Sequence, residues 1–268
     1  VDYSDEQIER YSRHIILKEV GLEGQMKISQ AKVLVIGAGG LGSPVLLYLA
    51  AAGIGKIGIA DNDVLDISNL QRQVIHSTPD LNRPKVDSAK DRINALNPDV
   101  LVEAINGSIT ADNILGIIEN YDFVIDGTDN FASKFLINDA CVIAGKPFSH
   151  GGILRFHGQT LTVVPPESAC YRCVFIEPPP PDSVPTCSQA GVLGVMAGVL
   201  GTLQANECLK YILNQGDLLT NRLLIFDALK TSFTDVKLKK NPKCPVCGEN
   251  PTIKSLTDYE QAICDIKS

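Results

Sequence analysis

Through the first 150 positions, short apolar runs alternate with longer segments whose apolar residues recur at helical spacing. Lys32–Ile36 (KVLVI) is rich in β-branched residues and stops at glycines, so it reads as a buried strand. Ser43–Ala52 predicts a helix and Lys56–Ala60 (KIGIA) a second strand that ends at Asp61. Pro84 suits the first turn of a helix running to about Leu96, ahead of Pro98. Val100–Ile105 predicts a third strand, and Thr110 is placed to cap a helix to about Asn120. Phe123–Ile125 gives a fourth strand ending at Asp126, Asn130 to Ala144 a helix, and Pro147–His150 the start of a fifth strand. Strands alternating with helices of this length imply βαβ units around a parallel sheet. After Gly152 the rhythm changes. Thr160–Val164, Leu223–Phe226 and Ser232–Leu238 predict strands without crossover helices, and hence an antiparallel extension of the sheet. Pro178–Pro181 excludes regular structure, and from about Asn250 the pattern fades into a tail.

Ser188 to Asn206 carries no charge, and its apolar stretch, Ala190 to Leu203, spans only about 21 Å as a helix. The hydrocarbon core of a bilayer is about 30 Å thick, so this reads as a buried helix and not a membrane span. Gly191, Gly194, Gly198 and Gly201 would share one smooth face. The chain has 268 residues, 44% hydrophobic and 21% charged, which excludes a disordered chain. A net charge of −7 argues against a general nucleic-acid binder. The opening residues are polar and acidic, unlike a secretory signal, so the expectation is a cytoplasmic protein with reduced thiols.

Gly37-Ala-Gly39-Gly40-Leu-Gly42 lies between the first strand and its helix. Glycines there let the backbone approach phosphate, and the helix N-terminus supplies N–H donors and partial positive charge. Asp61, about 20 residues on at the end of the next strand, is placed to bind a ribose. Together these predict a Rossmann-like, doubly wound nucleotide fold. NAD or FAD would use the same glycines. Ser68-Asn69-Leu70-Gln71-Arg72 and Lys85 bring cations towards the phosphate end, and Asp129-Asn130 follows the fourth strand. A Mg²⁺–triphosphate gains from a carboxylate where a dinucleotide pyrophosphate does not, which favours ATP. The alternative leaves Arg72 and Lys85 as solvated charges and Asp129 as a helix cap.

Cys170-x-x-Cys173 and Cys244-x-x-Cys247 form two thiolate pairs that together complete a tetrahedral Zn²⁺ shell. Four protein ligands leave no open position, so the zinc would be structural. Redox pairs or four buried thiols are the other readings. Cys187 sits between the prolines and the glycine-rich helix, either as a nucleophile or as a small apolar residue at a helix start. Cys141 and Cys208 fall in apolar helix patterns and predict core packing; Cys264 has no assignable role. His14, His76, His150 and His157 have no partners at metal or triad spacing and read as structural or surface residues.

Gly37–Gly42 with Asp61, Ser68–Arg72, Lys85, Asp126–Asn130, both CxxC pairs and Cys187 together resemble the MoeB/ThiF/HesA family, bacterial relatives of ubiquitin-activating enzymes. The opening Arg10-Tyr-Ser-Arg13-His-Ile-Ile-Leu resembles that family's N-terminal signature. The resemblance implies a homodimer that adenylates the C-terminal glycine of a ubiquitin-like sulfur-carrier protein ending in Gly-Gly, of the ThiS (thiamine) or MoaD (molybdopterin) type. It places Gly40 at the phosphates, Asp61 at the ribose, Asn69, Arg72 and Lys85 on the triphosphate, Asp129 on Mg²⁺, and Arg13 at the partner protomer's phosphates. Cys187 matches a position where ThiF-like members carry a persulfide or acyl disulfide, whereas MoeB-type members have a cysteine there without requiring it. The expected layout is a single adenylating domain over residues 4–249, its nucleotide half about 30–150 and its zinc and carrier half about 151–249. Residues 250–268 are expected as a tail with no fused rhodanese domain, so that sulfur comes from a separate donor protein. The rival readings are an NAD-dependent oxidoreductase, an enzyme activating a different carboxylate, and a non-catalytic nucleotide-binding module.

Overall fold

In the computed structural model, residues 3–180 and 190–259 are described. Eight strands form one sheet: β1 (Lys32–Ile36), β2 (Lys56–Asp61), β3 (Leu101–Asn106), β4 (Phe123–Asp126), β5 (Phe148–Leu154), β6 (His157–Val163), β7 (Arg222–Asp227) and β8 (Ser232–Lys237), in the order β3-β2-β1-β4-β5-β6-β7-β8. The first five strands of that order run parallel and the pairs from β5 to β8 antiparallel. The expected doubly wound sheet with an antiparallel extension is therefore what the chain forms.

Alternation along β1 explains the two faces. Val33 and Val35 pack with Ile57, Ile59, Phe123 and Ile125 beneath helices α4 (Gly42–Ala52) and α5 (Lys85–Leu96). Leu34 and Ile36 point the other way with Val124, against α6 (Ile114–Ile118) and α7 (Phe131–Ile143). Both faces being covered, β4 is buried at every position. The N-terminal helices α1 (Asp5–Arg10), α2 (Ser12–Ile15) and α3 (Gly21–Gln30) sit at the amino edge of the parallel strands. There the Tyr11 hydroxyl accepts from Asn97 Nδ2 at 2.9 Å, and Gln25 Nε2 donates to Ala52 O at 2.9 Å.

Three local expectations need correction. The helix expected from Thr110 to Asn120 is only Ile114–Ile118, because Asn113 Oδ1 accepts from the Thr110 N–H and holds the preceding residues in a turn. The glycine-rich helix, α9 (Gly194–Leu213), runs past Asn206 and includes charged Glu207 and Lys210. Glu207 is consumed internally, accepting from Thr162 Oγ1 at 2.7 Å and from the Leu219 N–H at 2.6 Å. Of the glycine stripe, Gly194 and Gly201 are tight against the backbone of Gln71 and Leu41; a Cβ on Gly198 would meet open space, and Gly191 precedes the helix. Finally, the described part of the segment after Asn250, up to Tyr259, is packed and not free. Ile253, Leu256 and Tyr259 pack on the α7 side, and Asp258 accepts from the Ala111 N–H at 2.8 Å. Its anchors are irregularly spaced, so no period betrays them. Among the described residues no helix is long and apolar enough to cross a membrane.

Candidate active site and metal centre

The carboxyl ends of β1, β2, β4 and β5 open into a cavity of about 960 Å³. Its glycine wall is dictated by close approach. Gly37 has φ +99°, and a Cβ there would lie 2.8 Å from Gly127 O, while a Cβ on Gly42 would overlap the Gly37 carbonyl. Gly39 and Gly40 line the cavity itself, in the turn that leads into the N-terminus of α4. Asp61 Oδ2 accepts from the Ala38 N–H at 2.7 Å and Oδ1 from the Asp63 N–H at 2.8 Å, which fixes the carboxylate at the cavity rim. Burial raises its pKa, against the opposing pull of those N–H groups and of Lys85.

Lys85 is buried, with Nζ 2.7 Å from Asp63 Oδ2, and Arg72 donates to Ser68 O at 3.1 Å; both line the cavity. Asp129 also lines it, exposed and without an ion-pair partner among the described residues. The helix-cap alternative for Asp129 does not apply, because Asn130 Oδ1 takes that role, accepting from the Ser133 N–H at 2.8 Å. Asn130 still lines the cavity. Ser68, Asn69, Leu70 and Gln71 do not: Asn69 Oδ1 accepts from the Asp66 N–H in a capping box of the 3₁₀ turn Ile67–Asn69. Arg13, exposed on α2, lies with the amino edge, at the far end of the strands from its own chain's cavity. Cys187 lies outside the described residues.

The four cysteines of the two CxxC pairs converge across 74 residues of sequence. Sγ–Sγ distances are 3.6 Å for Cys170–Cys244, 3.4 Å for Cys173–Cys247 and 4.0 Å for Cys170–Cys173, and all four Sγ atoms lie within 4.8 Å of one another. A tetrahedral site with Zn–S bonds of about 2.3 Å has S–S edges of about 3.8 Å, whereas a disulfide needs about 2.05 Å. The donor set therefore fits zinc, and the Asn241 N–H at 3.3 Å from Cys173 Sγ adds an outer hydrogen bond. Cys141 and Cys208 are fully buried, and burial pushes both thiols up, as core packing demands.

The ThiF family model matches residues 11–246. The chain belongs to the ThiF family. It is 46% identical over 270 residues to the sulfur carrier protein adenylyltransferase of Thermus thermophilus, covering 99% of each chain. With the SAMP-activating enzyme E1 of Haloferax volcanii it shares 47% over 254 residues, covering 95% of this chain and 93% of that one. It is 46% identical over 262 residues to the probable adenylyltransferase/sulfurtransferase MoeZ of Mycobacterium tuberculosis, but spans only 65% of that longer protein. Among solved structures, Escherichia coli MccB superposes with a TM-score of 0.80 at 24% identity, over 93% of this chain and 75% of that one. MccB with ATP gives 0.78 at 25% identity, over 89% and 74%.

Several residues that shape this ThiF-family cavity gave no motif signal. Lys134 is buried, 3.1 Å from Asp126 Oδ2 and donating to Thr128 O at 2.7 Å and Gly151 O at 2.6 Å. Burial pushes Asp126 up, but Lys134, the His150 hydrogen bond and Thr128 outweigh it and hold the carboxyl at about 2. His76 bridges Ala38 O at 2.9 Å and Ser88 Oγ at 2.8 Å, bracing the glycine turn from behind; burial lowers its pKa. Arg172, inside the first CxxC, pairs with Asp139 at 2.7 Å and donates to the Tyr259 hydroxyl at 2.6 Å, tying the metal centre to the C-terminal segment. The signal available was a lysine inside an apolar helix pattern and a histidine in the opening residues of a strand; both read equally well as solvated or structural residues.

Proposed function

We propose that this protein is an ATP-dependent adenylyltransferase that activates the C-terminal glycine of a ubiquitin-like sulfur-carrier protein, of the ThiS or MoaD type, releasing pyrophosphate. The observation that supports this best is the cavity shared by the glycine turn, Asp61, Lys85, Arg72 and an Asp129 with no ion-pair partner among the described residues. Relatives named as sulfur-carrier adenylyltransferases and carrier-activating enzymes support the substrate class.

A carrier carboxylate is already a nucleophile, so no general base is required. What the site must do is align that carboxylate with the α-phosphorus and stabilise charge on the departing pyrophosphate. Gly39 and Gly40 admit the phosphates to the helix terminus, and Asp61 takes the ribose hydroxyls. Lys85, held by Asp63, and Arg72, held by Ser68 O, supply fixed positive charge. Asp129 is the carboxylate free to hold Mg²⁺, which when bound would neutralise phosphate charge. Arg13, being remote from its own cavity, serves the site of a second copy in a homodimer. Zn²⁺ on the four cysteines is structural and joins the β6–α8 (Tyr171–Val174) connection to the segment after β8. Sulfur would come from a separate donor, and we place the reaction in the cytoplasm.

The test is carrier-dependent exchange of labelled pyrophosphate into ATP. Exchange with a Gly-Gly-terminated carrier, and none with the same carrier lacking its last glycine, is the expected result. Exchange that ignores the carrier terminus would favour the second reading, activation of a different carboxylate.

A further inference from the structure

One group in the cavity wall has no task in the mechanism above. His150 is 1% exposed, yet it lines the cavity. Its Nδ1 lies 2.8 Å from Asp126 Oδ2, and its ring packs on Tyr171 at 4.4 Å between centroids. Asp126 is ionised and can only accept, so Nδ1 carries the proton and Nε2 presents a lone pair. Burial and the nearby Lys134 ammonium keep the ring neutral against the pull of Asp126. That Nε2 has no hydrogen-bond partner among the described residues. A buried acceptor left unpaired is costly, and in a cavity wall it marks a place where a ligand donor belongs. Nε2 lies just behind the cavity surface: a Cβ built on Gly152 would stand 3.6 Å from it, and Gly152, which has none, is itself cavity lining.

Resting on the functional reading above, we propose that His150 binds the carrier tail, its Nε2 accepting a hydrogen bond from a backbone N–H of the terminal Gly-Gly. Strand order carries the choice of donor. Two strand spacings of about 4.8 Å separate β5 from β1, whose glycine turn would hold the phosphates, and a third separates it from Asp61. The ribose is therefore some 14 Å away. A glycine carboxylate poised about 3 Å from the α-phosphorus places its own amide, and the one before it, roughly 6–10 Å away. That range reaches His150. Glycines have no side chains to recognise, so a rigid acceptor for their amides is a direct way to read them.

The test uses the full chain with whichever carrier, ThiS-type or MoaD-type, the unsubstituted protein adenylates, and a semisynthetic copy of it with the two terminal glycine amides N-methylated in turn. His150→Phe should lower kcat/KM for the carrier roughly ten-fold, the worth of one buried hydrogen bond, and leave the KM for ATP unchanged. One N-methylation should cost about as much in the unsubstituted protein and nothing further in His150→Phe. The ¹⁵N resonance of His150 Nε2 should move upfield when carrier binds, a readout that requires no folded variant. The proposal is overturned if N-methylation costs the same in both proteins, if ATP binding is what weakens, or if the resonance stays still. If neither carrier is adenylated by the unsubstituted protein, the functional reading fails, and this assignment with it.

Discussion

Replacing Lys134 with methionine removes a buried ammonium that ties the β4–α7 loop to β5. Its hydrogen bonds to Thr128 O and Gly151 O, and its ion pair with Asp126, are all inside the protein. Removing one member of a buried pair strands the other charge, at a cost of about 3–5 kcal/mol. For a chain of this size that lowers Tm by roughly 10 °C. Lys134 is also the largest influence holding Asp126 down to about 2. A carboxyl depressed from its ordinary value of 3.8 to about 2 supplies on the order of 2 kcal/mol of stability above pH 4 and loses it as pH falls through 2. Without Lys134, burial dominates and Asp126 rises instead, so the variant gains stability on acidification where the parent loses it. Thermal melts by circular dichroism at pH 7 and pH 3.5 should therefore show a large gap at neutral pH that narrows in acid. Adenylation should also fall, since the loop bearing Asp129 loses an anchor. A Tm within 2 °C of the parent at pH 7, or a gap constant with pH, would refute the reasoning.

Other substitutions separate the roles of neighbouring residues. Asp129→Ala, at an exposed position with no ion-pair partner among the described residues, should leave Tm within about 1 °C and abolish adenylate formation; retained turnover would remove Asp129 from the metal role. Gly39→Ala adds a methyl 3.6 Å from Gln73 Nε2, which the fold accommodates, so it should fold normally and bind ATP weakly. Gly42→Ala collides with the Gly37 carbonyl and should cost stability as well, by several kcal/mol in denaturant titration. Equal stabilities for the two alanine variants would contradict the close-packed turn. Cys170→Ser should release zinc, measured by metal analysis, and lower Tm; unchanged metal content would break the four-cysteine assignment.

The central parallel strands were legible because they are buried on both faces and punctuated by glycine, proline or acid, as KVLVI before Gly37 and KIGIA before Asp61 illustrate. The glycine turn, Lys85, Asp129 and the CxxC pairs were legible because their chemistry demands fixed residue types at fixed spacing. What stayed hidden depends on tertiary pairing. Glu207 lies just beyond the uncharged segment Ser188–Asn206, and only β6 and the Leu219 backbone show why a charge is buried there. Lys134 and His150 gain their meaning from Asp126 at the end of β4, and Tyr259 from Arg172 and Asp139 far earlier in the chain. Asn69 shared a motif with cavity residues yet lies off the cavity, its side-chain oxygen closing a local cap, and Asn130 lines the cavity while its own oxygen caps α7.

The central claim is that this cavity joins AMP to a carrier's terminal glycine, and intact mass spectrometry tests it most directly. ThiS-type and MoaD-type carriers would be incubated in turn with the protein, ATP and Mg²⁺. The account predicts an added AMP on one of them, lost when the terminal glycine is deleted or when Asp129→Ala replaces the enzyme. Unmodified carriers of both types, with ATP bound to the protein, would contradict it.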